Sequence, residues 1–537
     1  MATRVGFAAL AAAIALLNAS LSFHNIWPTP AIAWIGELSI EVAIILPFLR
    51  LVPFRAGAPS RGWLRALAAA WVLLVIGHYA DVTTPALYGR DINLYWDARY
   101  MPDVAAMVAR AAPWWLLIAA VVAITLVLGL LYVLFRRALR RVIVEMDRAL
   151  QASLAVAAYS FVVIGLFLLS RLTTVVPQAA FATPVTATYL RQAKLVAGAM
   201  RASTTLPPSP AMTADLGRVA GADVFLVFIE SYGAIAFEKP DVAPRLDAPR
   251  AQLDASIRDT GRGVVSAFVD SPTFGGSSWL AHISLMSGVE VRDPETNSRL
   301  MTEQRQTIVT NFKTRGYRTV ALMPGLRQRW PEGAFYGFDE IDSAARLDYR
   351  GPEFGWFAIP DQFSLAKLDA LEVDRASRPS LFVFYPTIST HFPFIPAPPY
   401  QPQWSRIFDQ RPYDADPIVR AYAQQPDWFH FGPGYIDAVS YTYETLSGYL
   451  RKQANRDVVL VVLGDHQPAA AVTGEGASWS VPVHVIASRR EILDALASRG
   501  FRAGLTPERP SLGRMHELLP TLLAAFSVEP TPNRGAR

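Results

Sequence analysis

Two carboxylates, an imidazole and a serine flanked by glycines stand where a divalent metal could be held. Val224–Ile229 is an apolar run that stops on Glu230, followed by Ser231, Tyr232 and Gly233. Val458–Leu463 repeats the pattern and stops on Gly464, Asp465, His466 and Gln467. Such runs suit strands buried on both faces. In an open α/β sheet, ligands gather beyond the carboxyl ends of the parallel strands. The third piece is Phe274-Gly275-Gly276-Ser277-Ser278-Trp279. Its glycines permit a tight turn and close approach to a ligand. A helical pattern then runs from Ser278 to about Ser287 and stops at Gly288, a C-cap residue type. A serine at a helix N-terminus faces free N–H groups and a dipole that favour an anion such as phosphate. By itself Ser277 reads rather as a plain N-cap, a common place for serine. The two acidic strand ends turn the reading toward chemistry. Glu230, Ser277, Asp465 and His466 form a set of three oxygens and one nitrogen, which suits Mn²⁺, Zn²⁺ or Mg²⁺. A metal is also one way to activate a serine hydroxyl as a nucleophile.

Other residues could serve the same chemistry. His391, in Thr390-His391-Phe392-Pro393-Phe394, follows the apolar run Leu381–Tyr385 and could bind a phosphate oxygen or protonate a leaving group. Arg327, Arg329 and Trp330 follow the run ending at Met323. Arg suits phosphate by paired hydrogen bonds, and Trp could close over a headgroup, although a surface turn accounts for these residues almost as well. His484 lies inside an apolar strand pattern and His282 on the helix after Ser277. Both read as packed histidines.

The elements that must position these groups alternate between strand and helix from Gly221 onward. Strands are predicted at Val224–Ile229, Val264–Val269, Thr319–Met323, Leu381–Tyr385, Val458–Leu463 and Val481–Ala487. Helical stretches such as Met301–Arg315, Ile436–Gln453 and Arg489–Arg499 lie between them. The alternation predicts an α/β domain with a mostly parallel central sheet covered on both faces. Residues Ala397–Trp428, rich in Pro, Tyr, Gln and Trp, read as a long surface excursion.

The first third of the chain has a different character. Apolar residues make up 52% of the 537 and charged ones only 18%. The apolar excess falls in five stretches near the 20 residues a bilayer requires: Val5–Phe23, Ala31–Val52, Trp63–Ala80, Pro113–Phe135 and Ala152–Leu172. A five-helix transmembrane bundle is therefore expected. The second and fourth connections are rich in arginine (Arg50, Arg55, Arg61 and Arg65; Arg136, Arg137, Arg140, Arg141 and Arg148). The positive-inside rule puts both in the cytoplasm, with the N-terminus, and leaves everything after Leu172 outside. Glu37 and Glu41, four apart in the second stretch, are expected on one helical face toward the bundle interior. The domains expected are a transmembrane region 1–172, a juxtamembrane linker 173–220 with a surface helix near Ala187–Ala202, an extracytoplasmic catalytic domain 221–528 and a frayed tail 529–537. Net charge is only +5, with no basic stripe interleaved with aromatics, which argues against nucleic acid. With no cysteine, disulfides, thiolate ligands and a Cys nucleophile are excluded.

The order of these motifs resembles the lipoteichoic acid synthase and phosphoglycerol transferase type of membrane sulfatase-like protein, within the alkaline phosphatase superfamily. The pieces that carry the resemblance are the apolar spans, Phe228-Ile229-Glu230-Ser231-Tyr232-Gly233, Gly275-Gly276-Ser277-Ser278, Trp330 with its arginines, Thr390-His391-Phe392-Pro393-Phe394 and Gly464-Asp465-His466. It extends from the spans to about Ala487. The resemblance implies Glu230, Ser277, Asp465 and His466 as ligands of one metal, with Mn²⁺ favoured. Ser277 doubles as nucleophile, in a slot usually held by Thr. It implies substrate contacts from His391, Trp330 and one of Arg327 or Arg329. The chain departs from the pattern in lacking the basic and acidic neighbours of the usual Gly-Lys-Thr-Ser-Asp, which leaves Ser278 as a rival nucleophile. Ser271-Pro272-Thr273 does not supply the context for a formylglycine, which argues against sulfate ester hydrolysis. The absence of Cys favours phosphoglycerol over phosphoethanolamine transfer, since the latter relatives usually carry disulfides. The expected protein is a bacterial inner-membrane enzyme. It moves a headgroup from a phospholipid donor, through a covalent serine, to a glycan or glycolipid acceptor. Alternatives are a phosphoethanolamine transferase or hydrolase on the same site, and a non-catalytic scaffold.

Overall fold

The computed structural model describes residues 2–528, apart from 28, 56–57, 112, 174, 202–205, 329, 426 and 428–429. The tail 529–537, expected to fray, lies outside the described residues. The chain divides into two compact units, Met1–Ser203 and Thr204–Arg537.

In the first unit, three helices are long and apolar enough to cross a membrane: Arg61–Tyr88, Trp114–Arg148 and Leu150–Leu172. The second of these, 35 residues, is about 52 Å long at 1.5 Å per residue, against a hydrocarbon core of about 30 Å. Its apolar part presents bare side chains outward, with Val121 65% and Leu126 67% exposed. These three answer to the expected spans Trp63–Ala80, Pro113–Phe135 and Ala152–Leu172. Val5–Phe23 contributes the helix Ala2–Ala19, whose shorter apolar part is Gly6–Ala19. Ala31–Val52 is not one helix. It holds a strand, Ile32–Trp34, and a nine-residue helix, Ile40–Phe48, which is about 14 Å long and too short to cross. Gly36 takes a left-handed φ of 88° before the helix, and Pro47 lies in its last turn. Glu37 therefore precedes the helix, and the shared helical face expected for Glu37 and Glu41 does not exist. His24 Nε2 lies 2.6 Å from Glu37 Oε2. Glu41 Oε1 accepts from Thr186 N and Oγ1, and its Oε2 from Ser39 Oγ. The expected surface helix is present as Val185–Arg201.

The second unit is built on an eight-stranded sheet. We number its strands β1 (Asp223–Ile229), β2 (Gly263–Asp270), β3 (Arg318–Met323), β4 (Glu340–Ser343), β5 (Leu381–Pro386), β6 (Val458–Gly464), β7 (Ser480–Ala487) and β8 (Arg502–Ala503). Their order across the sheet is β8-β2-β7-β6-β1-β5-β3-β4. The run β6-β1-β5-β3-β4 is parallel, and the pairings on the other side, β6 with β7, β7 with β2 and β2 with β8, are antiparallel. All six predicted strands are present; β4 and β8, at the sheet edges, carry too short a pattern to read.

Alternation along a strand sends successive side chains to opposite faces. Here both faces are buried. Val224, Leu226 and Phe228 of β1 join one core with the helices Ser278–Ser287, Ile308–Thr314 and Leu518–Phe526. Phe225, Val227 and Ile229 join the other, with Asp247–Asp259, Asp361–Leu368 and Gly432–Lys452. That is why β1 reads as an uninterrupted apolar run. The predicted helix Met301–Arg315 is shorter, because residues 301–307 form a turn that ends on the N-cap Thr307. In β1 and β6, Ile229 pairs with Gly464. The next residues, Glu230 and Asp465, therefore leave the sheet side by side.

Candidate metal and nucleophile site

Glu230, Asp465 and His466 each offer a ligand atom within 4.8 Å of the others. The close approach of their two loops depends on glycine. A Cβ on Gly464 would lie 1.8 Å from the Tyr232 carbonyl oxygen, and one on Gly233 would lie 2.9 Å from the Cα of Gln467. Ser231 takes a left-handed φ of 56°, which turns the chain so that its N–H donates to Asp465 Oδ1 at 2.8 Å and its Oγ to Glu230 Oε1 at 3.0 Å. The His466 N–H also donates to Asp465 Oδ1, at 2.7 Å. Behind the acids, the Glu230 N–H donates to Thr387 Oγ1, Thr390 Oγ1 to the Glu230 carbonyl, and Ser271 Oγ to the Asp465 carbonyl. Sequence reasoning singled out no role for these three hydroxyls. Their signal is the position of each in the first few residues after its strand.

Ser277, expected as ligand and nucleophile, is the N-cap of the helix Ser278–Ser287, with φ 62° and no side-chain capping bond. This left-handed turn brings the next residue into the cluster. Ser278 Oγ donates to Glu230 Oε2 at 2.9 Å and lies 3.1 Å from His466 Nε2. Left-handed backbone at a non-glycine residue costs of order 1 kcal/mol and marks sites where geometry is imposed.

His466 Nδ1 donates to the Gln467 carbonyl at 2.7 Å. Burial holds this imidazole below its ordinary pKa in spite of Glu230 beside it. It is therefore neutral, with the Nε2 lone pair facing the cluster, the orientation that a carbonyl partner imposes on a metal-binding histidine. Nε2 is 3.4 Å from Glu230 Oε1 and 3.7 Å from Asp465 Oδ2. Burial, then the neighbouring Glu230, push Asp465 well above the usual carboxylate range. Burial acts against Glu230 too, but His466, His391 and hydrogen bonds from Asp465 and Ser278 hold it below its ordinary value. Two adjacent buried acids thus oppose being ionised together. The converging atoms are two carboxylates, an imidazole lone pair and a hydroxyl. This donor set fits a divalent cation, which would let both acids ionise.

The remaining predicted residues divide. His391 lies close enough for its charge to act on both Glu230 and His466. Its Nδ1 donates to the Phe392 carbonyl at 2.7 Å, and its ring packs edge-on against Phe357. Trp330 is not part of the cluster: it packs against the first core, 5.5 Å from the Tyr336 ring. Arg327 is exposed and donates to the Trp356 carbonyl. Arg329 lies outside the described residues. His484 is a core residue, bonded to Ser266 Oγ and Tyr232 OH. His282, one turn after Ser278, packs between Phe228 and Phe384.

No known family model matches the chain, and no curated protein matches it. Solved structures do. The lipooligosaccharide phosphoethanolamine transferase A of Neisseria meningitidis, an integral membrane protein, is 16% identical, with 96% of this chain and 95% of that chain covered and a TM-score of 0.48. A lipoteichoic acid synthase of Listeria monocytogenes is 14% identical over 60% of this chain and 76% of that chain, at a TM-score of 0.39. A Vibrio parahaemolyticus protein in the alkaline phosphatase superfamily is 16% identical over 62% of this chain and 73% of that chain, at a TM-score of 0.37. At such scores these likenesses decide nothing about activity, which rests on the site's own geometry. What the chain is similar to, by the order of its motifs and by these structures, is the alkaline phosphatase superfamily.

Proposed function

We propose that the second unit is a metal-dependent phosphotransferase. It takes the headgroup of a membrane phospholipid, phosphoglycerol from phosphatidylglycerol, and passes it through a covalent serine to a glycan or glycolipid hydroxyl. The observation that carries this reading is Ser278 Oγ within hydrogen-bond reach of both Glu230 and His466 at the ends of two adjacent parallel strands. A hydroxyl placed among acceptors is set to lose its proton, and the start of the Ser278–Ser287 helix favours an anion in front of it.

Ser278 Oγ attacks phosphorus as the bond from phosphorus to the diacylglycerol oxygen breaks. The hydroxyl proton passes to the carboxylate it already faces, Glu230. His391, across from these acids, serves as the acid that protonates the leaving diacylglycerol oxygen. In the second half the acceptor hydroxyl attacks phosphorus as the bond from phosphorus to Ser278 Oγ breaks; His391 takes the acceptor's proton, and Glu230 returns its proton to Ser278 Oγ. A divalent cation, Mn²⁺ favoured over Zn²⁺ or Mg²⁺, held by Glu230, Asp465, His466 and Ser278, would lower the hydroxyl pKa and offset charge on the phosphoryl oxygens.

The membrane reading agrees with a lipid donor. The three long apolar helices start from the arginine-rich 50–65 region and pass Arg136–Arg148 between the second and third. With arginines inside, three crossings leave the chain outside after Leu172, as five would, so loss of two expected spans preserves the side on which the catalytic unit emerges. The N-terminus remains cytoplasmic in this arrangement, and the donor is met at the outer face of a bacterial inner membrane.

The test is the intact mass of the purified protein after incubation with Mn²⁺ and phosphatidylglycerol, or phosphatidylethanolamine in parallel. A glycerophosphate-sized increase, absent from Ser278→Ala, is the expected result. A phosphoethanolamine-sized increase keeps the mechanism and changes the donor. No adduct with either lipid overturns the covalent route.

A further inference from the structure

An open cleft of about 800 Å³ lies beside the helix Asp361–Leu368 in the second unit. Tyr349, Phe363, Lys367, Phe408, Asp409 and Gln410 line it. We propose that it is a binding site for an oligosaccharide, the part of the acceptor chain remote from the hydroxyl that reacts. This rests on the phosphotransferase reading for the acceptor's role, though not for the binding itself.

The lining matches the chemistry of a polyhydroxylated ring. Phe363 is buried and sets the floor, with Tyr349 and Phe408 edge-on to it at 4.7 and 5.6 Å. Phe408 is 49% exposed, so an aromatic surface is left bare in the cleft. Lys367, Asp409 and Gln410 make no side-chain hydrogen bond or ion pair with the described residues. Between them they offer ammonium and amide donors and carboxylate and amide acceptors. Asp348 and Arg350 at the rim pair with each other. The cleft thus carries charges of both signs that cancel. A phosphate group would meet no net attraction there, and an acyl chain would meet four charges. A sugar ring has apolar C–H faces for the aromatic rings and hydroxyls for both donors and acceptors, as a small pocket with few polar groups requires.

Its position follows from two attachments. Asp361, at the start of the helix, accepts from the Ile388 and Ser389 N–H groups and from Tyr385 OH. That ties the helix to the loop that carries His391. Phe363 and Lys367, four apart, share a face of the helix, and Lys367 lies about 9 Å along the axis from Asp361. The opposite wall, Ile407–Gln410, belongs to the long excursion. The excursion is joined to the same helix by a reciprocal pair: Gln401 N donates to Gln362 Oε1 and Gln362 Nε2 to the Gln401 carbonyl. Both glutamines are buried. The excursion is thus built to hold the cleft in register with the catalytic loop.

The test uses the full chain in nanodiscs of phosphatidylglycerol and phosphatidylethanolamine, free of sugar detergents. It is titrated by calorimetry with maltohexaose, cellohexaose, laminarihexaose and glucose. We expect at least one hexasaccharide to bind. Phe408→Ala should weaken it about tenfold, the scale of a lost aromatic contact, without moving the melting temperature. Lys367→Met should weaken it by less. Binding by none of the hexasaccharides, binding unchanged in both variants, or glucose binding as tightly as a hexasaccharide would each overturn the proposal. The wild-type mass measurement with phosphatidylglycerol is run alongside. If it shows no adduct while the titration succeeds, the headgroup reading fails and the cleft stands.

Discussion

Two pairs of buried carboxylates can be set against each other. In the first unit, Glu37 and Glu41 are each saturated by their own surroundings, Glu37 by His24 and Glu41 by Ser39 and both donors of Thr186. In the second unit, Glu230 and Asp465 converge on one another and on His466 Nε2, with the hydroxyls of Ser231 and Ser278 beside Glu230. Buried acids are costly in both places unless they find partners. The first pair has found them within the fold and reads as architecture. The second pair is arranged for a cation from outside. What distinguishes the second pair is therefore not burial, charge or a lack of donors but that its oxygens and an imidazole nitrogen converge within 4.8 Å of one another.

The comparison can be broken most severely at the serines. Ser278→Ala should remove the covalent adduct and lower headgroup transfer by roughly 10⁶-fold, the scale for loss of a nucleophile. Ser277→Ala should keep the adduct and retain activity within about tenfold. If the mass measurement shows the reverse, Ser277 is the nucleophile and the geometry above is misread. Next comes the cation. At a hundred times its Kd, Mn²⁺ should stabilise the wild type by about 2.7 kcal/mol, seen as a rise in melting temperature. Asp465→Asn should abolish that rise and Glu41→Gln should leave it whole. Equal loss in both variants would erase the distinction between the two pairs. Glu41→Gln should itself cost about 1–3 kcal/mol of stability, because an amide NH₂ would face hydroxyl or N–H donors.

The smallest effect concerns protons. Burial lowers the pKa of His484 from 6.5 to about 3, so it stays neutral in the fold. The unfolded chain takes up a proton there below about pH 6.5. Acid therefore favours unfolding: the stability is complete above 6.5 and is lost as the pH falls toward 3. Between pH 6.5 and 5.5 the loss should be about 1 kcal/mol. Thermal melts of wild type and His484→Gln across that range should show a shallower pH dependence in the variant.

Much of the catalytic unit was legible. β1, β5 and β6 are buried on both faces, so their sequences carry unbroken apolar runs, and the acids stand where those runs stop. Which of the two serines faces Glu230 was not legible. Ser277 and Ser278 have the same side chain, and what separates them is a left-handed φ at the first. That angle is imposed by the loop and leaves no mark in composition. Ala31–Val52 misled for a different reason. Apolar content reports burial without saying whether lipid or protein does the burying, and Val42, Ala43 and Leu46 are enclosed by other parts of the first unit. Trp330 misled because a large aromatic beside arginines looks like a ligand clamp, whereas its ring is used to pack against Tyr336.

The two strand ends have a consequence for biosynthesis. Ser231 and Asp465, joined by a hydrogen bond, are 234 residues apart in the chain. Strand β6 emerges from the ribosome long after β1, and closing so distant a contact is a late and slow event. Until then Glu230 stands apart from Asp465 and His466. A metal held by Glu230, Asp465 and His466 would therefore meet a sheet whose strands had already paired, and a chain truncated before Asp465 would lack two of those three residues.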